Sequence, residues 1–320
     1  MSCIYNQYDL DAAKILDSFL PQEIFDSHMH ISEFPFCGKD RFGFSEYYND
    51  IAPLFSGRRI RCNALATPTA ALKGEEGHLS TLSFFKRQLD EYTDNVGSIL
   101  VKPGESLEEI ESHIVHKNIR GFKCYHSYSG RPDTTNASID EYLPEAALDL
   151  ANRRKMTITI HMVKEHSLAD PDNLNKIKNI AKRYPDLTLI LAHAARAFAQ
   201  WTAIETVGEL SGYENVWYDF SAICESPAMM QIIKKIGVSR CMWGSDYNVC
   251  MLSGKPISIA DSFYWIGQKD IESFLAKGNL HTWRVITENL MAVRQASQIL
   301  DLTAKDVEDI FYNNAARLFG

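Results

Sequence analysis

His28 and His30 form an H-x-H at the end of a short apolar run, EIFDSHMH, residues 23–30. Side chains two apart on a strand project to the same side, so the two imidazoles can bind one ion together. Alone, such a pair is equally the mark of partly buried, hydrogen-bonded histidines. The context shifts the balance. His161 lies near the end of MTITIHMV (156–163), His193 ends LTLILAHAA (187–195), and Asp246 ends SRCMWGSDY (239–247). Imidazoles and a carboxylate suit zinc, manganese or iron, with water in an open position.

Lys123 closes a fourth run, IRGFKCYHS (119–127). A buried lysine is costly unless it is paired, neutralised or modified. It can hydrogen-bond an anionic substrate, pair with Asp246, or become carbamylated and bridge two metals. The plain alternative is a lysine snorkelling outward between strand and helix. His126, three residues on, can contact substrate or serve a loop hydrogen bond. Arg196, three after His193, can grip a carboxylate bidentately or pair with a helix acid. The remaining histidines read as ordinary: His113 and His116 on a polar helical pattern, His78 in a loop, His166 and His281 at the surface or rim.

What must position these groups is a series of eight short apolar runs. Besides those quoted, they are RIRCNALAT (59–67), VGSILVKP (96–103) and NVWYDFSA (215–222). Between them lie helical patterns: TLSFFKRQLDEY, SLEEIESHIVHKN, IDEYLPEAALDLANRRK, PDNLNKIKNIAKRYP, QWTAIETVGELSG and SPAMMQIIKKIG. Ser106 and Glu109 make a capping box, Pro171 and Pro227 sit at first-turn positions, and Gly237 and Pro185 mark helix ends. This alternation predicts an α/β chain folded as a (β/α)8 TIM barrel, whose C-terminal rim would gather all the groups named above. An open doubly wound sheet shows the same alternation, but no G-x-G-x-x-G follows the first run. Two stretches exceed ordinary connections: the aromatic-rich residues 31–58 after the first strand, and 248–290 after the last. In a barrel both sit on the rim and can wall a pocket, or they are structural insertions. Residues 1–22 read as a helical lead-in and 276–320 as C-terminal helices, within one domain spanning 1–320.

The 320 residues are 45% hydrophobic and 23% charged, an ordinary globular balance with a large core. A net charge of -8 excludes a basic field for nucleic acid or an anionic membrane, so neither is expected as a partner. The acidic start lacks a signal-peptide n-region, and no apolar stretch of about 18 residues is present. Seven scattered cysteines without C-x-x-C favour free thiols and a cytoplasmic location.

From D-S-H-M-H to the final N-A-A-R-L-F-G, with G-F-K-C-Y, T-I-H-M, L-A-H-A-A-R and W-G-S-D-Y in order, the chain resembles the amidohydrolase superfamily, in its amidohydrolase-related branch. The resemblance implies His28, His30, His161 and Asp246 as a single-metal ligand set. His193 then contacts substrate and handles protons, or binds a second ion. Lys123 falls where two-metal members carry the carbamylated bridge. One divalent ion is favoured over two, zinc before manganese or iron. Two departures bear on specificity: S-D-Y-N lacks the proline common after S-D-x, and the first loop is long and aromatic.

The reaction expected is hydrolysis of a lactone, amide or ester-like bond in a small polar substrate, with Asp246 and His193 catalytic and Lys123, Arg196 and His126 binding substrate. The alternative is non-oxidative decarboxylation of an aromatic or unsaturated acid, for which the aromatic first loop (Phe34, Phe36, Phe42, Phe44, Tyr47, Tyr48) offers a planar surface. A barrel that binds a ligand without catalysis is a third class. The family also leaves homo-oligomerisation open.

Overall fold

All eight apolar runs become strands, and they are short because each stops where the chain must turn outward at the rim. In order they are β1 Glu23–Ile31, β2 Arg59–Ala66, β3 Val96–Leu100, β4 Ile119–Cys124, β5 Thr157–Ile160, β6 Thr188–Leu191, β7 Val216–Asp219 and β8 Cys241–Met242. The computed structural model describes residues 5–275 and 281–320, so Cys3 and the start of the expected lead-in and C-terminal segments lie outside the described residues. Each strand pairs in parallel with the next, in the order β1 through β8.

β8 is only two residues long, and the stretch after it brings the sheet round to β1. The amide of Ser27 donates to the Trp243 carbonyl at 3.1 Å, Asp246 N to His28 O at 2.7 Å, and His30 N to Tyr247 O at 2.7 Å. Met29 and Tyr247 form a parallel bridge. The result is a (β/α)8 TIM barrel with helices around it. Gly244 permits the approach, since a Cβ there would stand 2.7 Å from His28 Cβ and 3.0 Å from His28 N.

The crossovers follow their local signals with three revisions. Ser106 and Glu109 do form a reciprocal cap, Pro171 and Pro227 lie in first turns, and Gly237 ends the helix Ser226–Ile236 at φ +88°. The expected helix over 139–155 is split: a 3₁₀ turn covers Ile139–Glu141 and the α-helix runs Glu145–Arg154, because Pro144 has no N–H to continue the ladder. The helix beginning at Leu107 ends at His113, leaving His116 beyond it. His78 is not in a loop; it is fully buried in the helix Gly74–Glu91.

The two long rim segments carry structure of their own. Residues 31–58 contain the helix Phe44–Ile51, and Phe42, Phe44 and Tyr47 are fully buried, so most of that aromatic loop is packing rather than pocket wall. After the last strand comes an antiparallel hairpin, β9 Gly254–Ile259 with β10 Ser262–Gly267, and then the helices Gln268–Leu275 and Val285–Ile299. The N-terminal helix is Gln7–Asp17, shorter than the lead-in expected. At the foot of the barrel Phe25, Val96, Ile190, Trp217 and Met242 pack on Ala315 and Phe319 of the final helix. A π turn at Asp309–Asn313 turns the Ile310 carbonyl to Trp243 N, 2.8 Å away. Among the described residues no helix is long and apolar enough to cross a membrane.

Candidate metal centre

β1 delivers His28 and His30 to the barrel mouth, and the rim turn after β8 sets Asp246 against them. Asp246 adopts φ +59°, a conformation few non-glycine residues take, held by its amide bond to β1. Its Oδ1 lies 3.1 Å from His30 Nε2 and 3.5 Å from His28 Nε2. All three residues are buried.

The other ring nitrogens are already engaged. His28 Nδ1 stands 3.0 Å from Asp219 Oδ2, and His30 Nδ1 stands 3.2 Å from the Leu65 carbonyl. Both partners accept hydrogen bonds, so each Nδ1 carries the proton and each Nε2 presents a lone pair. Three electron-rich atoms therefore face one another in a buried site. His28 Nε2 has no hydrogen-bond partner among the described residues. Burial holds the His28 imidazole neutral, its pKa pushed down to about 3, while Asp246 stays ionised because the surrounding histidines outweigh its desolvation. A divalent cation fits this donor set, and the Asp219–His28 pair is the usual outer support of a ligating imidazole.

His193 enters from an unusual turn. The sequence predicts strand through 195, but β6 ends at Leu191 and His193, Ala194, Ala195 and Arg196 all take left-handed dihedrals, φ +52° to +61°. Each such residue costs about 1–2 kcal/mol. The turn is anchored by His193 N donating to Asp219 Oδ1 at 3.1 Å and by His193 Nδ1, 3.1 Å from the Ser221 carbonyl. That leaves His193 Nε2 free toward the mouth. Its ring centroid lies 4.9 Å from that of His28 and 5.2 Å from that of His161.

The other predicted residues divide. His161 is half-buried beside His193 and Tyr125, with its pKa driven well below the ordinary value by burial, but it stands outside the tight His28–His30–Asp246 group. Lys123 does not snorkel; it is fully buried, its Nζ has no hydrogen-bond partner among the described residues, and it does not pair with Asp246. Its ammonium sits 4.9 Å from the Tyr125 ring centroid, and burial lowers its pKa to about 8. Arg196 pairs with no helix acid: its guanidinium donates to the Lys164 carbonyl at 3.2 Å and lies over the Phe263 ring at 5.2 Å. His126 turns Nδ1 to Thr134 Oγ1 at 2.9 Å while its ring stacks toward His161.

Sequence reasoning missed four neighbours. Asp219, at the end of β7, accepts from His28, from the His193 and Ser221 amides and from the Ser221 hydroxyl; these contacts hold it ionised far below the ordinary carboxylate range. A lone acid closing the apolar VWYD run was its available signal. Asp26 is fully buried and pushed up to about 7 by desolvation, while Tyr47 OH (2.7 Å), Ser245 N (2.9 Å) and His28 N (3.1 Å) donate to it. Tyr125 brings its hydroxyl 3.5 Å from His30 Nε2. Phe198 stacks on His193 at 5.6 Å and meets Phe263 and Trp265 of the hairpin at 5.1 and 5.7 Å.

A family model described as Amidohydrolase matches residues 26–320. No curated protein matches the chain by sequence. Among solved structures the fold is similar to an amidohydrolase from Burkholderia multivorans (13% identity, 92% of this chain and 98% of that one, TM-score 0.60). It is also similar to 5-carboxyvanillate decarboxylase from Sphingomonas paucimobilis (11%, 93% and 99%, 0.59). A third is a Pseudomonas putida protein provisionally assigned as a 2-pyrone-4,6-dicarboxylic acid hydrolase (15%, 94% and 98%, 0.54).

Proposed function

The chain belongs to the amidohydrolase family of metal-dependent enzymes, and from that premise we propose that it hydrolyses a lactone, amide or ester-like bond in a small polar, carboxylate-bearing substrate. The observation that carries this reading is the convergence of His28 Nε2, His30 Nε2 and Asp246 Oδ1, three acceptor atoms in a buried mouth. A divalent ion held by His28, His30, His161 and Asp246 supplies a Lewis acid for the carbonyl and a lowered pKa for water, zinc being the first choice, then manganese or iron, and one ion favoured over two.

The chain's own groups do the rest. Asp246 takes the proton of the attacking water on its carboxylate and passes it to the leaving group, and His193, with Nδ1 fixed by Ser221 and the Nε2 lone pair free, orients the attacking water by accepting a hydrogen bond from it. Lys123 and Arg196 are the cationic groups without a carboxylate partner at the mouth, which suits them to a substrate carboxylate and developing oxyanion. His126 contacts substrate through the ring edge that Thr134 leaves open. Free thiols at six cysteines accord with a cytoplasmic enzyme.

The test is Asp246→Asn in protein shown to be folded and metal-loaded. Turnover of a lactone or amide substrate should nearly vanish; full activity would refute the proton role. A second reading, decarboxylation of an aromatic acid, is favoured by the Phe198, Phe263 and Trp265 surface beside His193. Release of carbon dioxide from the same substrate panel separates the two reactions.

A further inference from the structure

Outside the barrel mouth, the helix Gly74–Glu91, the loop after β3 and the helix Leu107–His113 bring His78, Glu105 and His113 to one point. We propose that these three residues form a second divalent-cation site, of the zinc class, which ties the two helices together and does not take part in the reaction.

The geometry supports this. Glu105 Oε1 lies 2.9 Å from His78 Nε2 and 3.5 Å from His113 Nε2. Two donors on a four-coordinate zinc with bonds of ~2.05 Å stand about 3.3 Å apart, so the observed separations bracket the required one. The carboxylate is aimed by its other oxygen, since Glu105 Oε2 accepts the Lys102 amide at 2.7 Å. His78 is fully buried and the Glu105 side chain is 4% exposed, so the donors are shielded from bulk water.

A plain hydrogen-bond network accounts for only part of this. His78 Nε2 is within hydrogen-bond distance of Glu105, but His113 Nε2 approaches the same oxygen without a hydrogen bond, its ring engaged only through Nδ1 with Ser112 Oγ. Tyr128, edge-on to His78, has a buried hydroxyl with no partner among the described residues. Water completing the ion's shell would give that hydroxyl a partner. Two imidazoles and one carboxylate prefer zinc over calcium or magnesium. The site also has a place in the fold: Glu76, Gly77 and Ser80, beside His78 on the same helix, line a groove with Phe34 and Pro35, and the next residue, Phe36, lies edge-on to His30.

The experiment uses the full chain carrying His28→Ala and Asp246→Ala, which breaks both donor groups of the mouth, His28–His30–Asp246 and His28–His193–Asp219, titrated with cobalt(II) alone and followed by visible absorption. One cobalt per chain with ligand-field bands is expected, and further substitution of His113→Ala or Glu105→Gln should abolish it. Absence of cobalt binding, or its survival in the His113→Ala background, would overturn the proposal. Should the stripped chain not fold, native mass spectrometry of zinc-reconstituted wild type and His113→Ala decides: one ion fewer supports the site and an unchanged count rejects it. Neither arm depends on the reaction at the mouth.

Discussion

Replacing Asp219 by Asn tests how the mouth is prepared for its ion. Asp219 Oδ1 accepts from the His193 and Ser221 amides at 3.1 Å each, and Asn can keep both. Oδ2, by contrast, faces His28 Nδ1 at 3.0 Å, and an amide nitrogen there would oppose an N–H with an N–H. The clash resolves by moving the His28 proton from Nδ1 to Nε2, the atom that now presents its lone pair to the mouth. Loss of an orienting carboxylate alone lowers metal affinity by roughly 10–100-fold, or ~1.4–2.7 kcal/mol. With the tautomer also inverted, the fall should reach or exceed the upper figure. The assay is competition against a chromophoric chelator, with nitrogen-15 shifts of the His28 ring reporting the tautomer. An affinity within about threefold of wild type, with Nδ1 still protonated, would refute the reasoning.

Lys123→Met should abolish turnover yet leave the metal-free protein as stable as wild type or more so at pH 7.5, because it removes a buried ammonium with no partner; a large loss of stability in urea melts would contradict this. The Lys123 pKa falls from 10.5 to about 8 on folding, so the unfolded chain binds more protons between those values and wild-type stability should rise relative to Lys123→Met as pH climbs from 8 toward 10.5. A flat difference across that window would argue against the burial penalty. Asn289→Ala should cost about 2–5 kcal/mol, since Trp243 Nε1 and the carbonyls of Phe220 and Ile223 all lose their partner, and chemical denaturation measures it directly. Phe198→Ala should raise KM for planar aromatic acids more than for aliphatic ones; equal effects would remove the ring from the substrate surface.

Much of this architecture is legible in the residues because the signals are local. Eight apolar runs with capped amphipathic stretches between them can hardly form anything other than a βα repeat, and polar residues ending such runs in a parallel barrel must meet at one rim. His28, His30, His193 and Asp246 follow from that rule alone. The left-handed turn at His193 is invisible because Ala194 and Ala195 are good helix formers; hydrogen bonds from Asp219 and Ser221, fixed by β7, override them. Asp219 itself reads as one polar residue in an apolar strand, and only its partner 191 positions earlier gives it meaning. The aromatic loop misleads for the converse reason. Composition cannot tell a ring that faces substrate from one, such as Phe42 or Tyr47, that plugs the space behind β1.

The proposed ligands of the mouth are also widely separated in the order of synthesis. His30 is made early and Asp246 comes 216 residues later, and between Trp243 and Tyr247 lie the hydrogen bonds that hold β1 in its final register. At bacterial or eukaryotic elongation rates of ~5–20 residues per second, β1 therefore waits roughly 10–45 seconds for its second neighbour to leave the ribosome. Through that interval one edge of the growing sheet is open, and His30 has no carboxylate opposite its Nε2. On the proposed reading, the ion's donor set cannot assemble before Asp246 has been made.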